Sequence, residues 1–537
     1  MKRFVLILLV LIFQNGFSQS PPVIPYWAFG HWIWEDEKNT RDAVESLVDG
    51  YARHNIPVSA VIIDSPWMNS YNDFRPDTLR YPGLPNMIDN LHNKGIRVLA
   101  FYTGCINSTT TDSRQGKCET FDYVVNNNFA INQNEASRWW KGMGVHYDPT
   151  NVKAKEWWHT QVDDLHTLKL NGAKIDFGFA WFGDTIRTSI GKLSKREFGY
   201  QYYADAFDYH TSKNDEFVAM TYAWSGLGLM GFPSKSHVNW VGDFSGDWKG
   251  IADQLKNIYK SANDGFSGVG CEIGGYWGAP STKDQFIRYT QLGSLCPIMI
   301  NGGSLGAFAH HLPWNHDEET VSIYRKFVGL HDELSYYLFS TAVDAHLTQS
   351  TILKNCNQEQ ASHFLGDQIF VKVISDSLHK TQIQMPATGK WIDFWNDDSV
   401  YASKSLIDKE YPLQGYPVFL KSGAILPLKV TDDLLQHGDE SSKGKVTFLI
   451  YPDSISHYLF HKPIGDGVKY NNISVTVNEI EGTIRIDSKT AEEYIFLVKW
   501  QSSPKRIKNE DKWNYDSGKK MVKIEKSGKS FEIVLIN

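Results

Sequence analysis

The sequence predicts a (β/α)8 TIM barrel followed by two small all-β domains of the β-sandwich type. Three observations carry that expectation. Between Pro25 and about Thr341, eight short apolar runs alternate with amphipathic helical stretches, and eight strands are the number that closes a barrel. Several of the runs end in an acid, as strands do where a barrel opens onto its site. Beyond about residue 345 the texture changes to short alternating runs set between Gly, Asn and Asp turns. An open, doubly wound sheet is the competing reading of the first part.

The eight runs, in order, are Tyr26–Gly30, Ser59–Asp64, Val98–Tyr102, Ala173–Phe177, Phe217–Thr221, Val238–Asp243, Ser267–Glu272 and Pro297–Asn301. Thr40–His54, Leu84–Lys94, Ala154–Leu170 and Lys283–Leu295 carry the helical spacing between them. The expected barrel covers 20–345. A proximal β-sandwich is expected over 346–435 and a distal one over 436–537, with the boundary near Asp432–Lys445.

The composition narrows the function. The chain has 537 residues, 42% hydrophobic and 14% aromatic, which supports packed cores and excludes a largely disordered chain. A net charge of −7 lacks the basic excess of a nucleic-acid binder. Eighteen Trp and 26 Tyr suit a carbohydrate cleft, although core packing accounts for most such residues. Lys2 and Arg3 precede an apolar run from Phe4 to Phe13, and Gly16-Phe17-Ser18 comes after it. Residues 1–19 therefore read as a secretory signal peptide, too short to span a bilayer. No other stretch is long enough for a membrane span, so an exported protein, periplasmic or secreted, is expected. Export permits disulfides, and Cys105 and Cys118 flank a polar loop that a bridge could close; five Cys leave at least one thiol unpaired.

Asp64, Asp176, Asp243, Glu272 and Asn301 all end apolar runs. A lone acid in such a place can cap the next helix. Four acids on one rim need another account, because burying like charges without purpose is costly. Asp176, in Lys174-Ile-Asp-Phe177, and Asp243, in Trp240-Val-Gly-Asp243, form the pair that glycoside hydrolysis requires. One carboxylate attacks the anomeric carbon, and the other, raised in pKa by burial against Trp240 and Trp248, protonates the leaving oxygen. No close His, Asp and Cys set points to a metal, and no cofactor is expected.

At these residues the chain resembles glycoside hydrolase family 31, over nearly all of its length after the leader. Trp139-Trp-Lys-Gly with Tyr147-Asp-Pro-Thr-Asn151 and Glu156-Trp-Trp158 looks like that family's approach to its fourth strand. Gly270-Cys-Glu-Ile-Gly-Gly-Tyr276 and Phe286–Gly293 look like its seventh strand and the helix after it. Gly389–Asp393 and Pro417–Pro427 look like its proximal sandwich. The resemblance implies a retaining α-glycosidase with Asp176 as nucleophile and Asp243 as acid/base. Asp64 would grip hydroxyls of the terminal sugar, with Lys174, Trp224, Trp240 and Glu272 also lining the substrate site.

The departures are as specific. Where family glucosidases carry an Arg, this chain has Trp224, and where they place a His it has Gly302. Pro66 and Phe179 stand at two further positions that are acidic in the family. An N-terminal β-sandwich, usual in the family, is not evident. Lys174 precedes Asp176 by two residues and so faces the same way on a strand. Lys-x-Asp resembles the α-galactosidases of families 27 and 36, although this Lys could instead pair with a neighbouring acid. His310 and His311 could replace the missing His or serve the core.

The leading expectation is an exported exo-α-glycosidase of oligo- or polysaccharides, with α-galactoside-like or anionic sugars ahead of α-glucosides. An α-glucosidase, an α-xylosidase or a transglycosylase of the same family is the alternative. A carbohydrate-binding relative without catalysis is a third reading, and it gives no reason to keep both Asp176 and Asp243.

Overall fold

The protein is described from a computed structural model that covers residues 20–36, 38–225, 228–303, 311–378, 380–508, 510 and 512–536. The leader at 1–19 and His310 lie outside the described residues. Eight parallel strands close a barrel in which each strand pairs with its neighbours in sequence. They are β1 (His31–Glu35), β2 (Ala60–Ile63), β3 (Arg97–Tyr102), β4 (Gly172–Ile175), β5 (Val218–Tyr222), β6 (Val238–Trp240), β7 (Val269–Ile273) and β8 (Ile298–Gly302).

The first strand differs from the sequence expectation. Tyr26–Phe29 is a 3-10 turn, and β1 begins only at His31. The first stretch is the more apolar, since the second carries His31 and Glu35, so apolarity points to the wrong one. Tertiary contacts claim the earlier one: the Tyr26 and Trp27 amides donate to Gly467 O and Asp466 O in the C-terminal part of the chain, and Trp27 stacks on Trp32 at 5.3 Å.

The outer layer holds α1 (Arg41–Arg53), α2 (Leu84–Asn93), α3 (Val152–Thr167), α4 (Lys195–Lys213), α5 (Trp248–Asn263), α6 (Lys283–Ser294), α7 (Glu318–Glu333) and α8 (Ser335–Thr348). Ser194 with Glu197 and Thr282 with Gln285 form capping boxes that start α4 and α6. Among the described residues no helix is long and apolar enough to cross a membrane. A three-stranded sheet (Cys105–Thr109, Ser137–Trp139, Gly142–His146) rises between β3 and β4. All five cysteines are free. The open disulfide question thus resolves against a bridge: Cys105 Sγ packs against Gly178, while Cys118 Sγ lies 3.2 Å from Thr120 Oγ1.

Two β-rich units complete the chain. A six-stranded sheet and a two-stranded pair span Leu353 to Lys421. The distal unit is one eight-stranded sheet whose long strands, Thr483–Lys499 and Met521–Ile536, shift register between Asp487 and Glu492 and enclose a second core around Phe448 and Phe496. Ile425–Leu428 already pairs with Val446–Ile450 in this distal sheet. The crossing between sheets therefore falls between Lys421 and Ile425, ahead of the Asp432–Lys445 segment, because the apolar run Pro417–Pro427 is two strands broken at Ser422-Gly423.

The barrel does not stand apart from the β-rich units. One hydrophobic core runs from Ile24 through the barrel and the proximal unit to Leu497. At its centre Arg288, 1% exposed on α6, donates from Nη2 to Tyr411 O at 2.6 Å and from Nη1 to Gly415 O at 3.0 Å.

Candidate active site

Alternation along parallel strands decides which side chains meet inside the barrel. Register pairs Phe101 with Lys174, Lys174 with Met220, Tyr222 with Trp240, Trp34 with Gly302 and Glu272 with Ile300. Lys174 is 5% exposed, and its Nζ lies 2.7 Å from Asp64 Oδ2, 3.6 Å from the Trp34 ring centroid and 5.2 Å from that of Trp240. Asp64 Oδ1 accepts from the Ser65 amide at 2.6 Å.

None of the four rim acids caps a helix. After Asp64 the next helix begins at Leu84; after Asp176 the cap is Ser194; after Asp243 it is Asp247, whose side chain accepts from the Gly250 amide at 2.8 Å; after Glu272 it is Thr282. The acids are therefore placed for something other than helix ends. Asp176 comes directly after β4, with its amide on Tyr102 O and its Oδ1 accepting from the Phe177 amide at 2.7 Å. The Asp243 backbone is pinned on both sides, its amide donating to Tyr222 Oη at 3.1 Å and its carbonyl accepting from Trp277 Nε1 at 3.0 Å.

Electrostatics bind the cluster together. Burial lifts Asp176 to about 7, against the opposing pull of Lys174. Asp243 is crowded by protein atoms while its side chain stays open to the cleft water, and it rises less, to about 6, again with Lys174 pulling down and Asp64 pushing up. Burial and the Asp243 charge raise Glu272 well above the usual carboxylate range, and its Oε2 has no hydrogen-bond partner among the described residues. Burial alone would lower Lys174, but the charges of Asp64, Glu272 and Asp176 raise it, so it stays an ammonium.

The remaining candidates divide. Trp240 lies inside, 4.5 Å from the Tyr222 ring. Trp224 turns away: its Nε1 donates to Asp264 Oδ2 at 2.7 Å at the end of α5, with Lys260 Nζ 3.9 Å over its ring. The structure does not bring it to the acids. Trp248 opens α5 as its first residue. His311 and Asn301 are bonded to each other behind the barrel wall, with His311 Nε2 on Glu35 Oε1 and Asn301 Nδ2 on Tyr324 Oη at 2.8 Å, which is a core role. Phe179 is buried against Phe198 and Tyr203.

Sequence reasoning missed Asp36, raised to about 6 by burial and by Asp64, bonded by Tyr276 Oη and influenced by Lys141 and Lys174. The signal is present, since Asp36 stands just past a strand as Asp64 does, but apolarity alone puts that strand at Tyr26 rather than at His31. Among the described residues no group of three or more His, Cys, Asp or Glu is arranged to hold a metal ion.

An acid pair beside a buried ammonium on the carboxyl rim of a parallel barrel suits displacement at a sugar's anomeric carbon. Family models bear on the same residues. That of the glycosyl hydrolases family 31 TIM-barrel domain matches residues 21–341, and that of the family 31 C-terminal domain matches 342–426. The chain belongs to glycoside hydrolase family 31. The isomaltosyltransferase of Sporosarcina globispora is 24% identical over 532 residues, covering 86% of this chain and 48% of that protein. The chain thus spans about half of that relative's length. An α-xylosidase of Saccharolobus solfataricus is 21% identical, over 96% of this chain and 67% of its own. A family 31 dextranase from Flavobacterium johnsoniae, solved with glucose, superposes with a TM-score of 0.85 at 18% identity, over 96% of this chain and 71% of that one. The cycloalternan-forming enzyme of Listeria monocytogenes, solved with a pentasaccharide substrate, gives 0.84 at 21%, over 97% and 55%. These superpositions speak to the family 31 fold alone.

Proposed function

We propose that this family 31 chain is an exported, retaining exo-α-glycosidase whose pocket favours α-galactoside-like sugars over α-glucosides. The observation that carries the reading is the set of four non-capping acids gathered around Lys174. Asp176 attacks the anomeric carbon as the bond to the aglycone breaks, and Asp243 gives its proton to the departing oxygen. Asp243 then takes a proton from water, whose oxygen replaces Asp176 at carbon and restores the α configuration. An NMR time course in which the first product carries the β configuration would exclude this sequence of steps. Export rests on the apolar leader after Lys2 and Arg3.

The working pair must hold one proton between its two members. With Asp243 at about 6 and Asp176 at about 7, the order is the reverse of the sequence expectation. The shared proton rests mainly on Asp176, and the reactive form, with Asp176 ionised and Asp243 protonated, is the minor of the two. Even so, kcat/KM should trace a bell with its crest in that interval. A profile flat from roughly pH 5 to 9 would mean that the two carboxyls do not act as a unit.

Sugar preference is argued from what the pocket lacks. Trp224 points outward and supplies nothing where glucosidases of the family carry an Arg. Gly302 sits at φ +141°, and a Cβ there would stand 2.1 Å from Trp34 O, so no His can be accommodated without moving β1. Anionic sugars lose ground as well, because Lys174 is already paired with Asp64 and faces further carboxylates. Two missing hydrogen bonds of about 1–3 kcal/mol each should leave an α-glucoside roughly 10²-fold poorer in kcat/KM than the best neutral α-glycoside, with α-galactoside tested first. An α-glucoside that ranks first in a panel of galactosyl, xylosyl, N-acetylgalactosaminyl and glucosyl donors would overturn the preference while leaving the assignment of Asp176 and Asp243 in place.

A further inference from the structure

We propose that Trp277 is the residue that positions the acid/base, its indole N–H holding the Asp243 backbone so that the carboxyl meets the departing oxygen. This rests on the retaining-glycosidase reading above and names what fixes one of its two working groups in place. Nε1 of Trp277 donates to Asp243 O at 3.0 Å, while the residue is 51% exposed. Trp277 belongs to neither hydrophobic core. An indole kept half outside the interior contributes little packing, so its directed contact is the N–H bond.

The two working acids are held in different ways. Asp176 follows β4 directly, and its amide still bonds the neighbouring strand at Tyr102 O, so the barrel ladder carries it. β6 ends at Trp240, three residues before Asp243. Past that end the chain turns through Gly242 at φ +127°, where a Cβ would stand 2.9 Å from the Phe244 ring. The segment has then left the ladder and takes its bonds from the loop after β7. Phe244 O accepts from the Tyr276 amide at 2.7 Å, Ser245 and Trp277 form a parallel bridge, and Gly246 O accepts from Ser281 Oγ at 2.6 Å. The two backbones touch at Gly275, where φ is +77° and a Cβ would stand 2.6 Å from Gly246 N.

The β7 loop is itself anchored. Tyr276 stacks on Trp34 at 6.1 Å, and its Oη donates to Asp36 beyond β1. From α6, Tyr289 Oη donates to Ser245 O at 2.8 Å. Neighbouring side chains thus go to different walls, Tyr276 to the end of β1 and Trp277 to Asp243. With Tyr222 Oη on the amide and Trp277 Nε1 on the carbonyl, the peptide groups on both sides of the Asp243 Cα are fixed. Removing the indole N–H frees the second of them to rotate. Proton transfer needs the donor within hydrogen-bond reach of the leaving oxygen, and a misplacement of about 1 Å is enough to spoil it.

The test varies how much the leaving group needs a proton. It measures kcat/KM for phenyl, para-nitrophenyl and dinitrophenyl α-glycosides of whichever sugar among galactose, xylose, N-acetylgalactosamine and glucose the wild type takes best. The aglycones share one ring, and dinitrophenolate departs without protonation. Trp277→Phe keeps a ring and removes the N–H. It should lose about tenfold or more on the phenyl glycoside and stay within about twofold on the dinitrophenyl one. Ser281→Ala removes another bond of the same clamp and should show a smaller split of the same kind, so a poorly folded Trp277→Phe does not leave the question open. Equal losses on every aglycone would make Trp277 a binding surface or a support of the fold. No loss on the phenyl glycoside would mean that Asp243 is held without it. Either result overturns the proposal. Asp243→Asn tests the reading beneath: it should show the same split more steeply. A split there with none in Trp277→Phe sinks the positioning role alone. No split in Asp243→Asn, or a wild type that takes none of the four sugars, sinks the glycosidase reading and the proposal with it.

Discussion

Replacing Asp176 with Asn should lower turnover by about 10⁴-fold or more while leaving the fold intact. The amide keeps the shape and can still accept from the Phe177 amide through its oxygen, but it cannot form the glycosyl ester. The smaller Asp176→Gly variant should regain activity with azide and release a β-glycosyl azide, because the anion enters the face that the carboxylate has left. Wild-type turnover in the Asn variant would end the assignment of the nucleophile. A second consequence concerns stability. Folding raises Asp176 to about 7, so its contribution is fully present below its unfolded pKa and is lost as pH rises through the folded value. At pH 8 the ionised carboxylate opposes folding by roughly 2–4 kcal/mol, and Asn removes that opposition. The variant should therefore melt higher than the wild type at pH 8, with little difference near pH 4. This is the stability cost that a site built for reaction carries.

Lys174→Ala should be the most destabilising single change in the pocket, by about 3–5 kcal/mol in denaturant titrations. It removes the partner of Asp64, which is 3% exposed, and leaves that carboxylate among three other acids without a cation. Adding Asp64→Asn should return much of the loss, because the stranded charge is then gone. The same change should move the pH profile upward, since Lys174 pulls down both Asp176 and Asp243 and its removal lets both rise. A Lys174→Ala protein as stable as the wild type, with an unmoved profile, would mean that the ammonium is not what holds the cluster together.

The parts of this molecule that are legible in the sequence are those fixed by local pattern. Apolar runs alternating with helical spacing point to the barrel, and Asp64, Asp176, Asp243 and Glu272 are visible because each ends such a run. What depends on tertiary choice is not visible. Tyr26–Phe29 is wholly apolar whereas His31–Glu35 begins with a His and ends with a Glu, so apolarity favours the stretch that contacts with Asp466 and Gly467 hold as a turn; Asp36 is overlooked as a direct result. Asn301 ends its run as Glu272 does, but it points to the helix layer and bonds Tyr324. A one-residue difference in phase exchanges inside for outside on a strand, and side-chain polarity does not report the phase. Trp224 and Trp140 are both tryptophans near turns, yet one packs at the C-terminal end of α5 and the other lies against Phe177, next to Asp176 in the chain. Composition cannot separate those two fates.

Arg288 has a consequence for how the molecule can come apart. Its guanidinium is enclosed on the barrel helix α6, and the carbonyls that receive it belong to the Tyr411–Gly415 loop of the neighbouring β-unit. Drawing that loop away would strand a charge in an apolar interior, an expense of the same kind as breaking a buried ion pair. The core from Ile24 to Leu497 crosses the same junction without a break. The barrel and the unit behind it are therefore coupled into one cooperative body, and the rim that carries the acids is held steady from the far side of the chain. In mechanical terms the β-unit is a brace for the wall between β7 and β8, and a cut between the two would slacken the site before it exposed it.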